Sequence, residues 1–425
     1  MPPVVERLYS KEVVRRERFA LIVGAAALLL TACGTSNNAG TSPSTGAPIV
    51  FGAAVSLTGA QSKEGGLTKQ GYDMWLDWIN QRGGIVVNNV KHPVQIKYED
   101  DQSEANLSAT LVQKLITDEK AQFILGPYGS AATATDAIVA EKDGIPMVEG
   151  NGAAQAIFNK GYKYTFGVLS PANKYLTGVL DMAATLSPKP ATLAMLTAND
   201  NFSVEVAKAV EEYAPTKGIQ VVFSKQYPAA APDVSGLLSQ AKAMNPDIVM
   251  NSGHLAEAIA INKAAKQLGV NAKIFAYSVG PSTPDFISAL GPDANYVYDG
   301  SQWTPQVKYQ PSFYLSVSDY VKAYQQKFGA SAPPDYHVAE STAACLAFEK
   351  AIENAGSLDP GKVRDALAGL NVMTFFGQIK FDNRGINIYK PMVVEQIQNG
   401  VHYTVYPAAV ANGKPLYPTP AWSTR

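Results

Sequence analysis

The residues with the clearest chemical potential lie where an apolar run gives way to a Gly/Ser turn. Phe123 to Leu125 has the composition of a buried strand, and Gly126-Pro127 ends it. Ser130 then stands at the capping position of a segment, Ala131 to Glu141, whose Ala and Ile content suits a helix. Such a turn directs backbone N–H groups and a hydroxyl beyond the strand end, a geometry that binds anions. An ordinary Ser-capped helix with nothing bound is the other interpretation.

Patterns typical of catalytic and metal sites are lacking. The sequence contains no G-x-G-x-x-G after a strand, no Walker A pattern, no G-x-S-x-G and no H-E-x-x-H. Its four histidines and two cysteines fall at no metal-ligand spacing. Glu99-Asp100-Asp101 is better explained as a solvated strand end than as a catalytic pair. The sequence therefore predicts no enzyme, no cofactor and no metal.

Length and charge narrow the class of protein further. The 425 residues are 46% hydrophobic and 17% charged, enough for two domains with separate cores. Lys and Arg number 35 against 36 Asp and Glu, which leaves no basic surplus for a nucleic-acid backbone. Nucleic acid is not expected as a partner.

The N-terminus has the pattern of a secretory signal. Arg15-Arg16-Glu17-Arg18 precedes an apolar run, Phe19 to Leu30, that is too short to span a bilayer comfortably. Leu30-Thr31-Ala32-Cys33 then matches the bacterial lipobox, and this resemblance implies cleavage before Cys33 and a lipid on its sulfur. A twin-Arg export signal fits less well, because Arg15-Arg16 lacks most of the surrounding pattern.

The region after Cys33 is predicted to be a tether. Gly34 to Pro48 is rich in Gly, Ser, Thr, Asn and Pro, and cannot form a packed core. With Cys33 lipidated, Cys345 has no partner for a disulfide within the chain, and it is interpreted as a small buried apolar residue. We therefore expect a leader at residues 1–32 and a tether at residues 33–48.

From Pro48 onward, short apolar strands alternate with amphipathic helices. The pattern starts with a strand at Ile49 to Val55 and a helix at Thr68 to Arg82, and it restarts after Ser170-Pro171. Further predicted elements include helices at Leu255 to Leu268 and Tyr336 to Ala355 and a hairpin turn at Lys380 to Gly385. Strands separated by helices of this length predict right-handed βαβ units and a parallel sheet in each half. The expected fold class is α/β.

Several motifs in this order resemble the branched-chain amino-acid binding proteins, over almost all of the chain after the leader. Each motif is weak alone, but their order and spacing are specific. In chain order they are Ile49-Val50-Phe51-Gly52, Ser56-Leu57-Thr58-Gly59, Ile79-Asn80-Gln81-Arg82-Gly83-Gly84-Ile85, Asp100-Asp101-Gln102-Ser103, Leu125-Gly126-Pro127-Tyr128-Gly129-Ser130 and Gly144-Ile145-Pro146-Met147-Val148.

The resemblance implies a type I periplasmic binding protein with two Rossmann-like lobes joined by a three-segment hinge. It places lobe 1 at residues 49–169 and 303–389, and lobe 2 at residues 170–302 and 390–425. Ligand would bind between the lobes, at the carboxyl ends of the strands. By position in the family pattern, Ser130 would hold a ligand carboxylate. The other ligand-binding residues implied are Tyr128, Asn151, Gly152, Ala153, Phe202, His254, Ser278 and, in a cleft loop, Glu64.

Two positions depart from the family pattern. Amino-acid-binding members hold the ligand's α-ammonium with a hydroxyl where this chain has Ala153 and a carboxylate where it has Ser278. An ammonium buried without an acidic partner would cost several kcal/mol. Either the ligand lacks an ammonium, or another carboxylate serves, with Glu64 and Glu149 as candidates.

The expected function is that of an extracytoplasmic, lipid-anchored solute-binding protein that delivers a small carboxylate- or amide-bearing molecule to the membrane subunits of an ABC permease. Two alternatives stay open. One is a ligand-sensing receptor of the same fold without transport. The other is a binder of urea, aliphatic amides or aromatic acids in place of amino acids.

Overall fold

Two sheets with helices packed on them form the frame of the structure, a computed structural model that describes residues 44–230 and 233–425. Within these residues the strands are β1 (Ser44–Thr45), β2 (Ile49–Val55), β3 (Ile85–Val87), β4 (Val90–His92), β5 (Val94–Asp100), β6 (Phe123–Leu125), β7 (Met147–Glu149), β8 (Thr165–Gly167), β9 (Thr192–Ala198), β10 (Gln220–Tyr227), β11 (Ile248–Ser252), β12 (Ile274–Ser278), β13 (Val297–Ser301), β14 (Asn371–Thr374), β15 (Gly377–Lys380), β16 (Val393–Gln398) and β17 (Val401–Tyr406). The helices are α1 (Ser62–Gln81), α2 (Ala105–Thr117), α3 (Ser130–Asp143), α4 (Gln155–Phe158), α5 (Thr177–Ala183), α6 (Asn201–Tyr213), α7 (Ser235–Ala243), α8 (Leu255–Leu268), α9 (Pro284–Leu290), α10 (Val317–Phe328), α11 (Tyr336–Ala355) and α12 (Pro360–Ala368).

The sheets confirm the predicted α/β class. One has five parallel strands in the order β5-β2-β6-β7-β8. The other has seven, in the order β10-β9-β11-β12-β13-β16-β17, and only β16 and β17 are antiparallel to their neighbours. All three residues of β6 are fully buried, as expected for a parallel strand that is covered on both faces. We call the five-stranded sheet with its helices the first lobe, and the seven-stranded sheet with its helices the second lobe.

Helix α11 belongs to the core of the first lobe, where 16 of its 20 residues are buried. Two glycines in neighbouring segments, which have no side chain, pack closely against the backbone of α11. A Cβ on Gly71 of α1 would lie 2.3 Å from the carbonyl oxygen of Val338, and one on Gly150 would lie 2.8 Å from that of Glu340. Cys345 lies in the buried part of this helix, which confirms its prediction as a small core residue. The helix is therefore held without room to shift.

The chain passes between the lobes three times: between β8 and β9, after β13, and between β15 and β16. One buried residue from each passage joins a shared hydrogen-bond network. Ser170 donates its backbone N–H to Oε1 of Gln302 (3.0 Å) and its hydroxyl to the carbonyl oxygen of Lys390 (2.7 Å). The ammonium of Lys390 donates to the carbonyl oxygen of Gln302. The three passages are thus tied to one another.

The structure corrects the start of the first helix. The sequence predicts a helix from Thr68, but α1 begins at Ser62. The first turns of α1 were not predicted because they contain Gly65 and Gly66, and glycine is unfavourable within a helix. Gly65 is required there by packing, since a Cβ on it would lie 1.9 Å from the carbonyl oxygen of Ser56.

Two further elements differ from expectation. A hairpin turn was expected at 380–385, but the hairpin is β14–β15, and its two strands meet at Phe375-Phe376. Residues 382–385 form a separate turn, closed by the Gly385 N–H and the Asp382 carbonyl oxygen (3.0 Å). Strand β13 was not predicted, because Asp299 and Gly300 lower its strand propensity, although all five of its residues are buried.

The predicted leader and Cys33 lie outside the described residues. Ser44 and Thr45, at the end of the predicted tether, pair with Val90 and Lys91 of β4. A free tether would therefore end before Ser44. None of the described helices has the length and apolar character required to cross a membrane.

Replacing Gly71 by alanine is expected to destabilise the protein, because the new methyl group would overlap the backbone of α11. Overpacking of this kind costs about 1–3 kcal/mol. Gly66→Ala is the matched control in the same helix, since a Cβ there meets nothing within 4 Å. That change should stabilise by about 0.5–1 kcal/mol through helix propensity. Urea unfolding measures both, and equal effects of the two changes would contradict the packing argument.

Candidate ligand-binding cleft

A small cavity lies between the lobes, where the strands of both sheets end. It is lined by residues that follow β6, β7, β9, β11 and β12, by the start of α11 and by the segment after β8. Its lining residues are Tyr128, Gly129, Ser130, Asn151, Tyr175, Phe202, His254, Val279, Tyr336, His337 and Glu340. Open α/β sheets bind ligands at this position, outside the carboxyl ends of their strands.

Five of the nine residues predicted for ligand binding line this cavity: Tyr128, Ser130, Asn151, Phe202 and His254. The other four, Glu64, Gly152, Ala153 and Ser278, do not. The cavity encloses about 10 Å³, roughly the room that one water molecule needs. Its walls therefore touch across the cleft.

The turn before α3 differs from its prediction. Ser130 is the first residue of the helix and not its cap; Gly129 takes that position, with a φ of 82° that favours glycine. The hydroxyl of Ser130 accepts a hydrogen bond from the backbone N–H of Ala154 (3.0 Å). Because a hydroxyl has one proton to donate, that proton stays available to an acceptor in the cavity.

A cationic histidine faces this turn from the second lobe. The Nδ1 atom of His254 lies 3.0 Å from the hydroxyl of Tyr128, and its Nε2 atom lies 3.5 Å from the carboxylate of Asp200. Burial alone would lower the pKa of His254, but Asp200, helped by Glu257 and Glu64, raises that pKa to about 9. Burial alone would raise the pKa of Asp200. The interaction with His254 outweighs this effect, so the pKa of the carboxyl lies below its usual value. His254 is therefore positively charged at neutral pH.

Glu64 forms a hydrogen bond between the two lobes. It lies in α1, not in a loop, and it is 1% exposed. Its Oε1 accepts from the backbone N–H of Leu255 (3.2 Å), the first residue of α8 in the second lobe. A carboxylate at a helix N-terminus is stabilised by the free N–H groups and the helix dipole.

Glu149 is also engaged by backbone groups. It accepts hydrogen bonds from the N–H groups of Asn151 (2.8 Å) and Gly152. Burial nevertheless raises its pKa to about 8, against the opposing effect of these two bonds. Neither of the two carboxylates suggested as ammonium partners, Glu64 and Glu149, reaches the cavity.

The remaining predicted residues pack behind the cavity wall. Gly152 lies against Thr133, whose Oγ1 would be 2.4 Å from a Cβ at that position. Ala153 is 1% exposed and belongs to the hydrophobic core. Ser278 is fully buried at the end of β12, and the next residue, Val279, lines the cavity in its place.

Helix α11 contributes three residues that sequence analysis missed: Tyr336, His337 and Glu340. Their signal was present as polar groups in a segment otherwise rich in Ala, since a buried helix carries such groups only for a reason. Tyr175 and Val279 carried no comparable signal. His337 is paired with Asp335, whose Oδ1 lies 2.5 Å from its Nδ1.

Contacts between the lobes surround the cavity. Besides Glu64, which meets α8, Glu205 of the second lobe accepts from the backbone N–H groups of Gln155 (2.7 Å) and Ala156 (2.8 Å) in the first. Lys63 and Asp285 form an ion pair of 3.0 Å across the same boundary. Each lobe thus places a glutamate on backbone N–H groups of the other.

Comparison with known proteins identifies the family to which the fold around this cleft belongs. A family model described as "Periplasmic binding protein" matches residues 48–401. A Leu/Ile/Val-binding protein homologue of Brucella abortus is 24% identical over 359 residues, which cover 81% of this chain and 88% of the relative.

Solved structures share the fold. A branched-chain amino-acid transporter substrate-binding protein from Streptococcus pneumoniae, in complex with isoleucine, has a TM-score of 0.75 at 20% identity and covers 85% of this chain and 100% of its own. A solute-binding protein from Rhodopseudomonas palustris, in complex with 3,4-dihydroxybenzoic acid, has a TM-score of 0.69 at 17% identity and covers 86% and 94%.

The raised pKa of His254 predicts a pH-dependent contribution to stability. A group whose pKa is about 9 when folded and near 6.5 when unfolded stabilises fully below pH 6.5 and loses this effect as pH rises through 9. The free energy of unfolding of the wild type, relative to His254→Gln, should therefore fall by roughly 3 kcal/mol at most over this window. Urea unfolding at pH 6 to 10 measures it. A difference that does not change with pH would mean that His254 is not held as a cation.

Proposed function

This chain belongs to the periplasmic binding protein family, among the branched-chain amino-acid group of ABC-transporter substrate-binding proteins, and from that membership we propose that it captures a small carboxylate- or amide-bearing molecule and delivers it to an ABC permease. The proposed ligand is amino-acid-like. Tyr128, Ser130, Asn151, Phe202 and His254 are the proposed contacts, because they line the cleft.

The observation that carries the proposal is the pairing of two anion-attracting groups in one cavity. The first is the N-terminus of α3 with the free proton of Ser130. The second is the hydroxyl of Tyr128: the cationic imidazole of His254, which is paired with Asp200 in the other lobe, donates to it through Nδ1 and leaves the phenol proton free for an acceptor. Helix N-termini and buried cations both favour a carboxylate, or the oxygen of an amide. A ligand oxygen between the two hydroxyls would be linked through Tyr128 to His254 of the other lobe, and would favour the closed cleft.

A specific observation supports aromatic acids as a second candidate. Four aromatic side chains line the cavity: Tyr128, Tyr175, Phe202 and Tyr336. Phe202 packs edge-to-face on Tyr175, with ring centroids 4.9 Å apart. Such walls suit a flat ring as well as a branched aliphatic side chain.

We also propose the lobe boundaries expected from the sequence, residues 49–169 with 303–389 and residues 170–302 with 390–425. Support comes from the network of Ser170, Gln302 and Lys390, which lies where the chain passes between the lobes. The cleft would open and close by rotation about these three passages.

A lipid anchor on Cys33 completes the proposal. The lipobox Leu30-Thr31-Ala32-Cys33 supports it, and it would place the protein on the outer face of a membrane, beside its permease. The described residues begin only at Ser44, so this part of the proposal rests on the sequence.

Ligand binding tests the function. In a thermal-shift screen of amino acids, amides, urea and aromatic acids, a true ligand at about 1,000 times its Kd should stabilise the protein by about 4 kcal/mol. A screen in which no compound raises the melting temperature would count against the proposal.

For the compound found, Ser130→Ala should weaken binding by about 1.5–3 kcal/mol if the bound oxygen is charged, and by about 0.5–1.5 kcal/mol if it is neutral. Ser130→Asp should nearly abolish binding of an anion. Thr135→Ala is the matched control, because it removes a hydroxyl of the same helix that is bonded to Ala105 (2.7 Å) and not to the cavity. Calorimetry measures all three, and wild-type affinity in both Ser130 variants would mean that Ser130 only supports the turn.

The anchor has its own test. Cys33→Ser removes the sulfur that would carry the lipid, so the variant should no longer partition with membranes when cells are fractionated. Membrane association equal to that of the wild type would show that Cys33 is not the anchor.

A further inference from the structure

We propose that Glu340, together with Asn151 and Tyr336, forms the subsite for a protonated amine of the ligand. This inference deepens the proposed function and rests on it. It assigns to the ligand a cationic nitrogen in addition to its carboxylate or amide oxygen. It also gives a role to a residue of α11 that the sequence motifs did not indicate.

The first argument is that three buried polar atoms of residues that line the cavity lack partners. Oε2 of Glu340, Oδ1 of Asn151 and the hydroxyl of Tyr336 are buried, and each is without a hydrogen-bond partner among the described residues. The three residues are 1%, 7% and 1% exposed, and all line the same cavity. Buried polar atoms in native proteins are almost always paired, so unpaired ones that line a cavity point to a ligand.

The second argument is the kind of atom left unpaired. A carboxylate oxygen and an amide carbonyl oxygen can only accept hydrogen bonds, and a phenol can also accept. The amide nitrogen of Asn151 already donates to the hydroxyl of Ser341 (2.8 Å), which fixes the direction of its carbonyl oxygen. A ligand group that satisfies such a set must donate several hydrogen bonds, and an ammonium has three to give.

The third argument is charge. The groups that face Glu340 are Glu149 and Asp335, which repel a second negative charge, and Lys390, which attracts it. Burial, then repulsion by Glu149, raises the pKa of Glu340, against the effect of Lys390. The ammonium of Lys390 is itself bonded to Gln302, in the network between the lobes. A ligand ammonium beside Glu340 would give this buried carboxyl group a charged partner and favour its ionised form, as buried charges require.

A subsite at Glu340 would explain how this chain can hold an ammonium although Ala153 and Ser278 depart from the family pattern. Ala153 and Ser278 cannot hold an ammonium, and Glu64 and Glu149 are bonded to backbone N–H groups away from the cavity. Glu340 is the carboxyl group that lines it. The cavity thus has hydrogen-bond donors in the hydroxyls of Ser130 and Tyr128, and acceptors around Glu340, the pattern that a zwitterion needs.

The test uses two pairs of probes that differ only in the amine: L-leucine with 4-methylpentanoate, and L-phenylalanine with 3-phenylpropanoate. Calorimetry on the full-length protein should show that the amine-bearing member of at least one pair binds at least about tenfold more tightly. Glu340→Gln keeps the shape but removes the charge. This change should weaken the binding of the amine-bearing member by about tenfold to a hundredfold, as expected for the loss of a charge-assisted hydrogen bond. The affinity for its desamino partner should stay within about twofold of the wild-type value.

Glu349→Gln is the matched control. It removes a buried carboxylate of the same helix that bonds Trp75 (2.7 Å) and not the cavity. It should leave the ratio between the probes unchanged, and circular dichroism should show that both variants are folded.

The outcomes separate this inference from the proposed function. If Glu340→Gln keeps the wild-type preference for the amine, or if the wild type prefers the desamino acids, the amine subsite is wrong while the binding function stands. If neither member of either pair binds, the amino-acid-like ligand is wrong as well, and the amine subsite falls with it.

Discussion

The structure depends on the hydrogen bonds that join its three interlobe passages. Ser170, Gln302 and Lys390 come from distant parts of the chain, and all are buried. Ser170 and Gln302 exchange two hydrogen bonds, of 3.0 and 2.9 Å, and Lys390 bonds to both residues. Because each lobe is built from separate stretches of sequence, this network decides how the two walls of the cleft face each other. Burial lowers the pKa of Lys390 to about 7, partly offset by Glu340, so the network is also in electrostatic contact with the cavity.

The two walls of the cleft are built differently. The wall from the first lobe is rigid, because Gly71 and Gly150 let α11 pack directly on backbone, and that helix carries His337 and Glu340 into the cavity. Several contacts between the walls are polar: the carboxylates of Glu64 and Glu205 meet backbone N–H groups of the opposite lobe. Polar contacts exchange readily with water when they separate, whereas a large apolar interface would not. The proposed opening of the cleft would therefore break polar contacts and leave the packing of α11 unchanged.

Sequence reasoning was reliable where a single local rule governed the outcome. Strand β2 and helices α8 and α11 were predicted with the bounds that the structure has, because their ends carry clear signals, such as Gly269 after α8 and Gly356 after α11. It failed where distant parts of the chain decide. Glycine is a poor helix former, yet Gly65 lies inside α1 because the backbone of Ser56 leaves no room for a side chain. Ser130 resembled a cap, but its hydroxyl bonds to Ala154 from another element. Glu340 could not be assigned to the cleft from the sequence, because its position depends on how α11 packs.

The small volume of the cavity has a kinetic consequence. A space of about 10 Å³ is too small for an amino acid, so binding of the proposed ligand would require the contacts of Glu64, Glu205 and Lys63 to break first. Capture is then a two-step process in which opening precedes binding. At low solute concentration the observed association rate rises in proportion to concentration, but at high concentration it levels off at the rate of opening. The interlobe contacts, rather than diffusion, would therefore set the maximum rate at which the protein binds its solute.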